Sequence, residues 1–162
     1  MNEFTPEALY IHIPFCSSIC TYCDFYKMIA KDERKQKYIS HLVKEAEMKK
    51  ASFSALKTIF IGGGTPTCLP LNLLDYLLTN LQRLIDFKQI EEFTVEANPN
   101  DITPELAELL KSNGVNRISL GVQSFDEDKL KILGRKHSEK DVKKAFAILH
   151  AHGFTNINVD LI

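Results

Sequence analysis

The feature that most constrains this chain is the alternation of short apolar runs with longer stretches of helical period. Ala8 to Ile13 is one such run, ended by Pro14, and Thr58 to Ile61 is a second, ended by three glycines. Phe93 to Ala97, Ile118 to Val122 and Ile157 to Leu161 repeat the pattern. Brief runs rich in Val, Ile, Leu and Phe are what buried strands of a parallel sheet look like. Between them, Tyr38, Leu42 and Ala46 follow Asp32, and Leu74, Leu77, Leu78, Leu81 and Ile85 follow Pro70, at intervals that put each set on one helical stripe. Thr103-Pro104-Glu105 supplies a cap, a first-turn proline and an acid ahead of Leu106, Leu109 and Leu110, and Gly114 is the stop. Ser138-Glu139-Lys140-Asp141 reads as the start of a helix carrying Val142, Ala145, Phe146 and Leu149, ended by Gly153. The order βαβαβαβαβ predicts an α/β fold with a parallel sheet and right-handed crossovers, either a TIM-like barrel or a doubly wound sheet. Periodicity alone leaves both open.

With 162 residues and 44% hydrophobic content the chain has material for one sizeable core, so residues 1–162 are expected to form one domain. It stops at Leu161-Ile162 inside an apolar strand pattern, which reads as truncation at the C-terminal end. Lys and Arg number 20 against 21 Asp and Glu, a net charge of −1 without long single-sign runs, which gives no reason to expect a nucleic-acid or anionic-membrane partner. Met1 to Glu7 has neither a basic region nor an apolar one, and no stretch approaches the roughly 20 apolar residues of a membrane helix. A cytoplasmic location is therefore expected. In a reducing compartment, three cysteines within eight positions are ligands before they are disulfides.

Those cysteines form Cys16-Ser17-Ser18-Ile19-Cys20-Thr21-Tyr22-Cys23, a C-x3-C-x2-C run in the loop after the first strand. Three thiolates leave one iron of a four-iron cluster open to a small molecule, whereas a structural zinc site closes with a fourth Cys or His. A zinc site and three unrelated buried thiols stand as the alternatives. Cys68, isolated between Thr67 and Leu69, reads as a partly buried free thiol. Gly62-Gly63-Gly64-Thr65-Pro66-Thr67 follows the second strand directly. Glycines there expose main-chain groups and permit positive φ, so the run is either a ligand loop or a plain strand-to-helix turn.

The run Tyr10-Ile11-His12-Ile13-Pro14-Phe15-Cys16, the cysteine loop and the glycine run together resemble the radical S-adenosylmethionine (SAM) family of oxygen-independent coproporphyrinogen III oxidase and its relatives. Val95-Glu96-Ala97-Asn98-Pro99, Gly121-Val122-Gln123-Ser124-Phe125, Arg135 and Asn158-Val159-Asp160-Leu161-Ile162 extend the resemblance over nearly the whole chain. It implies an incomplete TIM-like (β/α)6 barrel, of which five strands and four crossovers are present. It also implies that Cys16, Cys20 and Cys23 bind a [4Fe–4S] cluster whose fourth iron is chelated by the amino and carboxylate groups of SAM. Gly63, Gly64 and Thr65 would meet the methionine part, so that a branched side chain at Gly64 would block SAM while sparing the cluster. Tyr10 would lie against the cofactor and Tyr22 would reach it through its backbone. Glu96, Gln123, Arg135 and Asp160 would complete the polar contacts. Read without the family, Tyr10 and His12 are core residues of the first strand, Glu96 and Asp160 strand-end acids in ion pairs, and Arg135 a surface residue.

In the family the cluster passes one electron to SAM and a C–S bond breaks, giving a radical that abstracts hydrogen. Two departures from the oxidase pattern bear on function. The oxidase has a further cysteine two positions after the third, where this chain has Phe25, and a longer extension ahead of its first motif. Both departures resemble the related haem chaperone branch, whose members bind haem and deliver it to haem-requiring proteins. The expected partners are therefore haem or porphyrin, an acceptor protein, and an electron donor if SAM is cleaved. Porphyrinogen oxidase is the alternative, and a zinc-stabilised interaction module a distant one.

Overall fold

The computed structural model describes residues 5–162, so the part of the leader reading that concerns residues 1–4 lies outside the described residues. Five strands, β1 (Ala8–Ile13), β2 (Thr58–Gly63), β3 (Glu92–Ala97), β4 (Arg117–Gln123) and β5 (Asn156–Leu161), pair in parallel in the order β1-β2-β3-β4-β5. This order decides between the two architectures. A doubly wound sheet reverses its strand order at a switch point. Here each strand pairs only with its neighbours in sequence, as in a (β/α) barrel that has not closed.

Among the described residues five α-helices connect the strands: α1 (Asp32–Lys49), α2 (Leu71–Leu84), α3 (Pro104–Ser112), α4 (Glu127–Ile132) and α5 (Glu139–Ala151). Successive layer helices touch, α1 against α2, α2 against α3 and α3 against α5, and they cover one face of the sheet. That face holds the core. Ile11 and Ile13, Ile59 and Ile61, Phe93 and Val95, and Ile118, Leu120 and Val122 meet Leu74, Leu77, Leu78, Leu81, Leu106, Leu110 and Leu149 from the helices. Apolar burial in the strands is thus one-sided. The alternate positions Tyr10, His12, Glu96, Ser119, Asn158 and Asp160 are polar or half-apolar and belong to the face without helices.

The helix signals act where the sequence puts them. Thr103 accepts a hydrogen bond from the Leu106 N–H at 3.2 Å, and Ser138 and Asp141 form a reciprocal capping box at the start of α5. On α1 the expected stripe is displaced by one position. Ile39 and Val43 are buried, while Tyr38, Leu42 and Ala46 are half-buried flanks of the same apolar face. The short helix α4 is not foreseen by the apolar period, because in its two turns only Leu130 is buried. The Asp126 carboxylate starts it, accepting from the Asp128 and Lys129 N–H groups at 2.9 and 3.1 Å.

Candidate functional site

The C-terminal ends of the five strands surround a cavity of about 310 Å³. Cys16, Cys20, Tyr22 and Cys23 line it from the loop after β1, Gly63, Gly64 and Thr65 from the end of β2 and the turn after it, Glu96 from β3, Gln123 from β4, and Asp160 from β5, with Arg135 entering from the segment between α4 and α5. Of the residues expected to hold the cluster or SAM, only Tyr10 is not in the lining. It sits two residues before His12 on β1, one layer down the strand, and is 57% exposed, with its hydroxyl 2.9 Å from His12 Nδ1. His12 is no core residue either. It is half-buried on the open face, and its Nε2 lies 3.2 Å from the Tyr26 carbonyl.

The cysteine loop is pinched at its base. The Cys16 N–H donates to the Met28 carbonyl at 3.0 Å and the Met28 N–H to the Pro14 carbonyl at 2.7 Å. Cys16 is buried beside β2, and its sulfur is 3.6 Å from the Thr65 hydroxyl. Burial pushes the Cys16 thiol up, while that hydroxyl pulls it down. At the far side, segment 132–135 clasps the loop. Thr21 Oγ1 donates to the Ile132 carbonyl at 2.9 Å, and Arg135 Nη1 approaches Cys20 Sγ at 3.6 Å. Cys68 stands apart from the cavity, half-buried, with its thiol pushed up to about 12 mainly by burial. Among the described residues no three His, Cys, Asp or Glu side chains close on one point as a single ion requires. Cys16, Cys20 and Cys23 instead share the wall of a cavity.

Each glycine of the glycine run has a close neighbour, and at Gly64 that neighbour is backbone. A Cβ on Gly62 would stand 2.8 Å from the Glu96 carboxylate, and one on Gly63, at φ +112°, would meet the His12 ring at 2.5 Å. At Gly64 it would stand 2.5 Å from the Phe15 carbonyl oxygen. The Gly64 N–H donates to the Ile13 carbonyl at 2.8 Å, and the Thr65 N–H to that of Phe15 at 2.7 Å. The expectation that a side chain at Gly64 would leave the cysteine loop undisturbed is therefore corrected. It would collide with backbone at the root of that loop.

Two polar clusters complete the wall. Glu96 accepts from the Gly63 N–H at 3.0 Å, and burial raises its pKa against that hydrogen bond. Ser119 Oγ donates to Asp160 at 3.3 Å, and Asn158 Nδ2 donates to the same carboxylate at 2.7 Å. Arg135 Nη2 donates to Asn98 Oδ1 at 2.6 Å and to the Gly121 carbonyl. Asn98 in turn donates to Thr65 Oγ1 at 3.2 Å. Gln123 adopts φ +66° at a break in the β4–β5 register, and its carbonyl accepts from the Ile162 N–H at 3.0 Å. Sequence reasoning quoted Asn98 within a motif and gave it no role, although it stands one residue past the end of β3, where α/β folds place ligand contacts. Lys27 and Ser119, also in the wall, carry no signal in the sequence.

The residues present suit an iron–sulfur cluster and a polar, charged cofactor. Three thiols line one wall, carboxylates line another, and Arg135 Nε is buried without a hydrogen-bond partner, an orphan donor that a ligand would satisfy. The fold and site together define a half-barrel protein with a thiolate-walled ligand site at the strand C-termini. Its sequence matches the model of the radical SAM superfamily over residues 10–162, and the chain belongs to that superfamily, whose members use a [4Fe–4S] cluster and SAM. It is 45% identical over 157 residues to the heme chaperone HemW of Lactococcus lactis, covering 97% of this chain and 41% of the relative. It is 33% identical over 163 residues to the oxygen-independent coproporphyrinogen III oxidase of Salmonella typhimurium, covering 97% and 35%. The structure of the coproporphyrinogen III oxidase HemN of Escherichia coli superposes with a TM-score of 0.86 at 28% identity, covering 97% of this chain and 37% of that one. The chain thus spans about two fifths of the length of the relatives it matches. Among the described residues no helix is long and apolar enough to cross a membrane.

Proposed function

We propose that Cys16, Cys20 and Cys23 hold a [4Fe–4S] cluster, that SAM occupies the rest of the cavity, and that residues 1–162 are part of the radical SAM core of a cytoplasmic haem chaperone. The cluster and SAM, when bound, would supply one-electron chemistry. The chain's own residues bind and orient. The backbone of Gly63 and Gly64 and the Thr65 hydroxyl border the methionine end, and Arg135 has an uncommitted Nε donor for a carboxylate. Glu96, Gln123 and Asp160 supply acceptors for amino and hydroxyl groups. Tyr22 closes the cysteine side. Tyr10 is left without a direct contact in this reading.

The observation that carries the chaperone reading is Phe25. It lines the cavity two positions after Cys23, where the oxidase-like pattern has a further cysteine, and it is 73% exposed. An exposed aromatic at that rim suits a flat apolar cargo and cannot act as a thiolate. The higher identity to a heme chaperone than to an oxidase supports the same reading. Haem is then the cargo and a haem-requiring protein the acceptor. The second reading, porphyrinogen oxidation, rests on the structural match to HemN.

The test uses the natural full-length protein with a reconstituted cluster. A haem titration followed by absorbance should saturate, and anaerobic incubation with coproporphyrinogen III, SAM and a reductant should give no decarboxylated product by chromatography. Product over many turnovers without saturable haem binding would establish the oxidase instead.

A further inference from the structure

The cysteine loop has a cation that neither the family motifs nor the SAM contacts use. Lys27 is the residue before Met28, which is fixed to the sheet by its two hydrogen bonds to Pro14 and Cys16. From that anchored position the Lys27 side chain turns back along the loop. Its Nζ donates to the Cys23 carbonyl and, at 3.2 Å, to the Phe25 carbonyl. The side chain is half-buried and in the wall of the same cavity as the three thiols. Burying an ammonium is costly unless its donors are used, and two of its three donors are committed to the carbonyls of the third cysteine and of Phe25.

Beyond Thr21 the loop has few other contacts, one of them the Tyr26 carbonyl at 3.2 Å from His12 Nε2. The Cys23 N–H to Cys20 carbonyl contact is 3.5 Å long, and Phe25 and Tyr26 are exposed. Cys16 is held by burial beside Thr65, and Cys20 and Thr21 by segment 132–135. Cys23 has, besides the long contact of its N–H to Cys20, the Lys27 tether at its carbonyl.

We propose that Lys27 is a positioning residue for the cluster: its ammonium pins the Cys23 and Phe25 carbonyls to the sheet-anchored base of the loop, and its charge stands on the Cys23 side as the Arg135 charge stands on the Cys20 side. This rests on the cluster reading of the three cysteines. A cluster bound by three thiolates gains a further electron on reduction, and a nearby cation in a partly desolvated wall favours the reduced form. Lys27 therefore raises the reduction potential as well as ordering the loop. Arg at this position keeps the charge and the donors, and Met keeps the length without either.

The experiment compares the full-length protein with its Lys27→Met and Lys27→Arg variants. In the metal-free proteins, amide hydrogen exchange over residues 20–27 should accelerate in Lys27→Met and stay near the parent rate in Lys27→Arg. After anaerobic reconstitution, Lys27→Met should hold less iron per chain. The clusters it does hold should have a reduction equilibrium shifted against the reduced form on the order of tenfold, about 59 mV for one electron, in a potentiometric titration read by EPR. Lys27→Arg should recover most of both effects. Unchanged exchange together with an unchanged potential in Lys27→Met would overturn the proposal, as would equal losses in Lys27→Arg and Lys27→Met. Failure of the parent protein to take up iron would instead strike at the cluster reading, while the exchange measurement would still decide whether Lys27 holds the loop.

Discussion

The two faces of the sheet are built by alternate residues of the same five strands, yet they obey different rules. On the helix-backed face Phe93, Val95, Ile118, Leu120 and Val122 are fully buried and hold no polar group that needs a partner. On the open face Glu96, Ser119, Asn158 and Asp160 form hydrogen-bonded pairs around a cavity, and Glu96 is held with a raised pKa by burial. The first face tolerates exchange among apolar side chains of like volume and is intolerant of volume change, as packed cores are. The second is close to the reverse. A single residue step along a strand separates stability from function.

The largest expected effect comes from breaking the packed face. Phe93→Ala removes a ring that is fully buried and packed edge-on against Phe87, and it should cost about 3–5 kcal/mol. Urea denaturation would measure it. A loss no larger than that of an exposed-face substitution would erase the distinction between the faces. Next is Gly64→Ala, at the junction of the two regions. Its Cβ would meet the Phe15 backbone, so reconstituted protein should lose most of its iron while its far-UV circular dichroism stays near that of the parent. Full iron content with weakened SAM binding would restore the view that Gly64 serves only the methionine end.

On the open face, Glu96→Gln should weaken SAM binding by about 1.5–3 kcal/mol, on the order of ten- to a hundredfold, as calorimetry on the reconstituted protein would read. Its effect on stability should have the opposite sign. Because the folded-state pKa of Glu96 lies above its ordinary value, its favourable contribution is complete below the unfolded pKa and is lost as pH rises through the folded one. The Gln variant should therefore be at least as stable as the parent at neutral pH, and the difference should vanish toward pH 4. A destabilised variant at neutral pH would place Glu96 among the structural ion pairs. The smallest effect belongs to Cys68. Its thiol, pushed up to about 12, lies outside the cavity, so Cys68→Ser should leave iron content unchanged. At pH 8 Cys68 should also be the slowest thiol in the metal-free protein to react with iodoacetamide.

The packed face was the more legible of the two in the sequence. Leucine spacing in α2 names Leu74, Leu77, Leu78 and Leu81, all fully buried, and the caps at Thr103 and Ser138 act as written. Periodicity works there because burial is decided by side-chain direction alone. It left the barrel and the doubly wound sheet undivided, since both present the same local pattern and only the pairing order separates them. The open face was legible through motif resemblance rather than pattern. That route found the lining residues. Tyr10 stands outside the lining, lower on β1, and Gly64 is fixed by contact with Phe15, a residue 49 positions earlier that no local spacing reveals. Asn98 and Lys27 escaped because their roles consist of hydrogen bonds to main-chain or side-chain atoms that only the fold brings near.

The sequential strand order also dictates a timetable. A chain emerging from the ribosome can add each strand to the one made just before it, so the sheet grows from one edge with no strand waiting for a distant partner. The cysteine loop obeys a different clock. Its base closes as soon as Met28 is available, but Thr21 awaits Ile132 and Cys20 awaits Arg135, separations of 111 and 115 residues. During most of synthesis the three thiols therefore belong to a half-made loop, exposed to oxidants and stray metals while the sheet beneath is already forming. The wall of the cavity is thereby incomplete until β4 and the segment after α4 have joined, so a cluster held as proposed would be loaded late in the life of the chain.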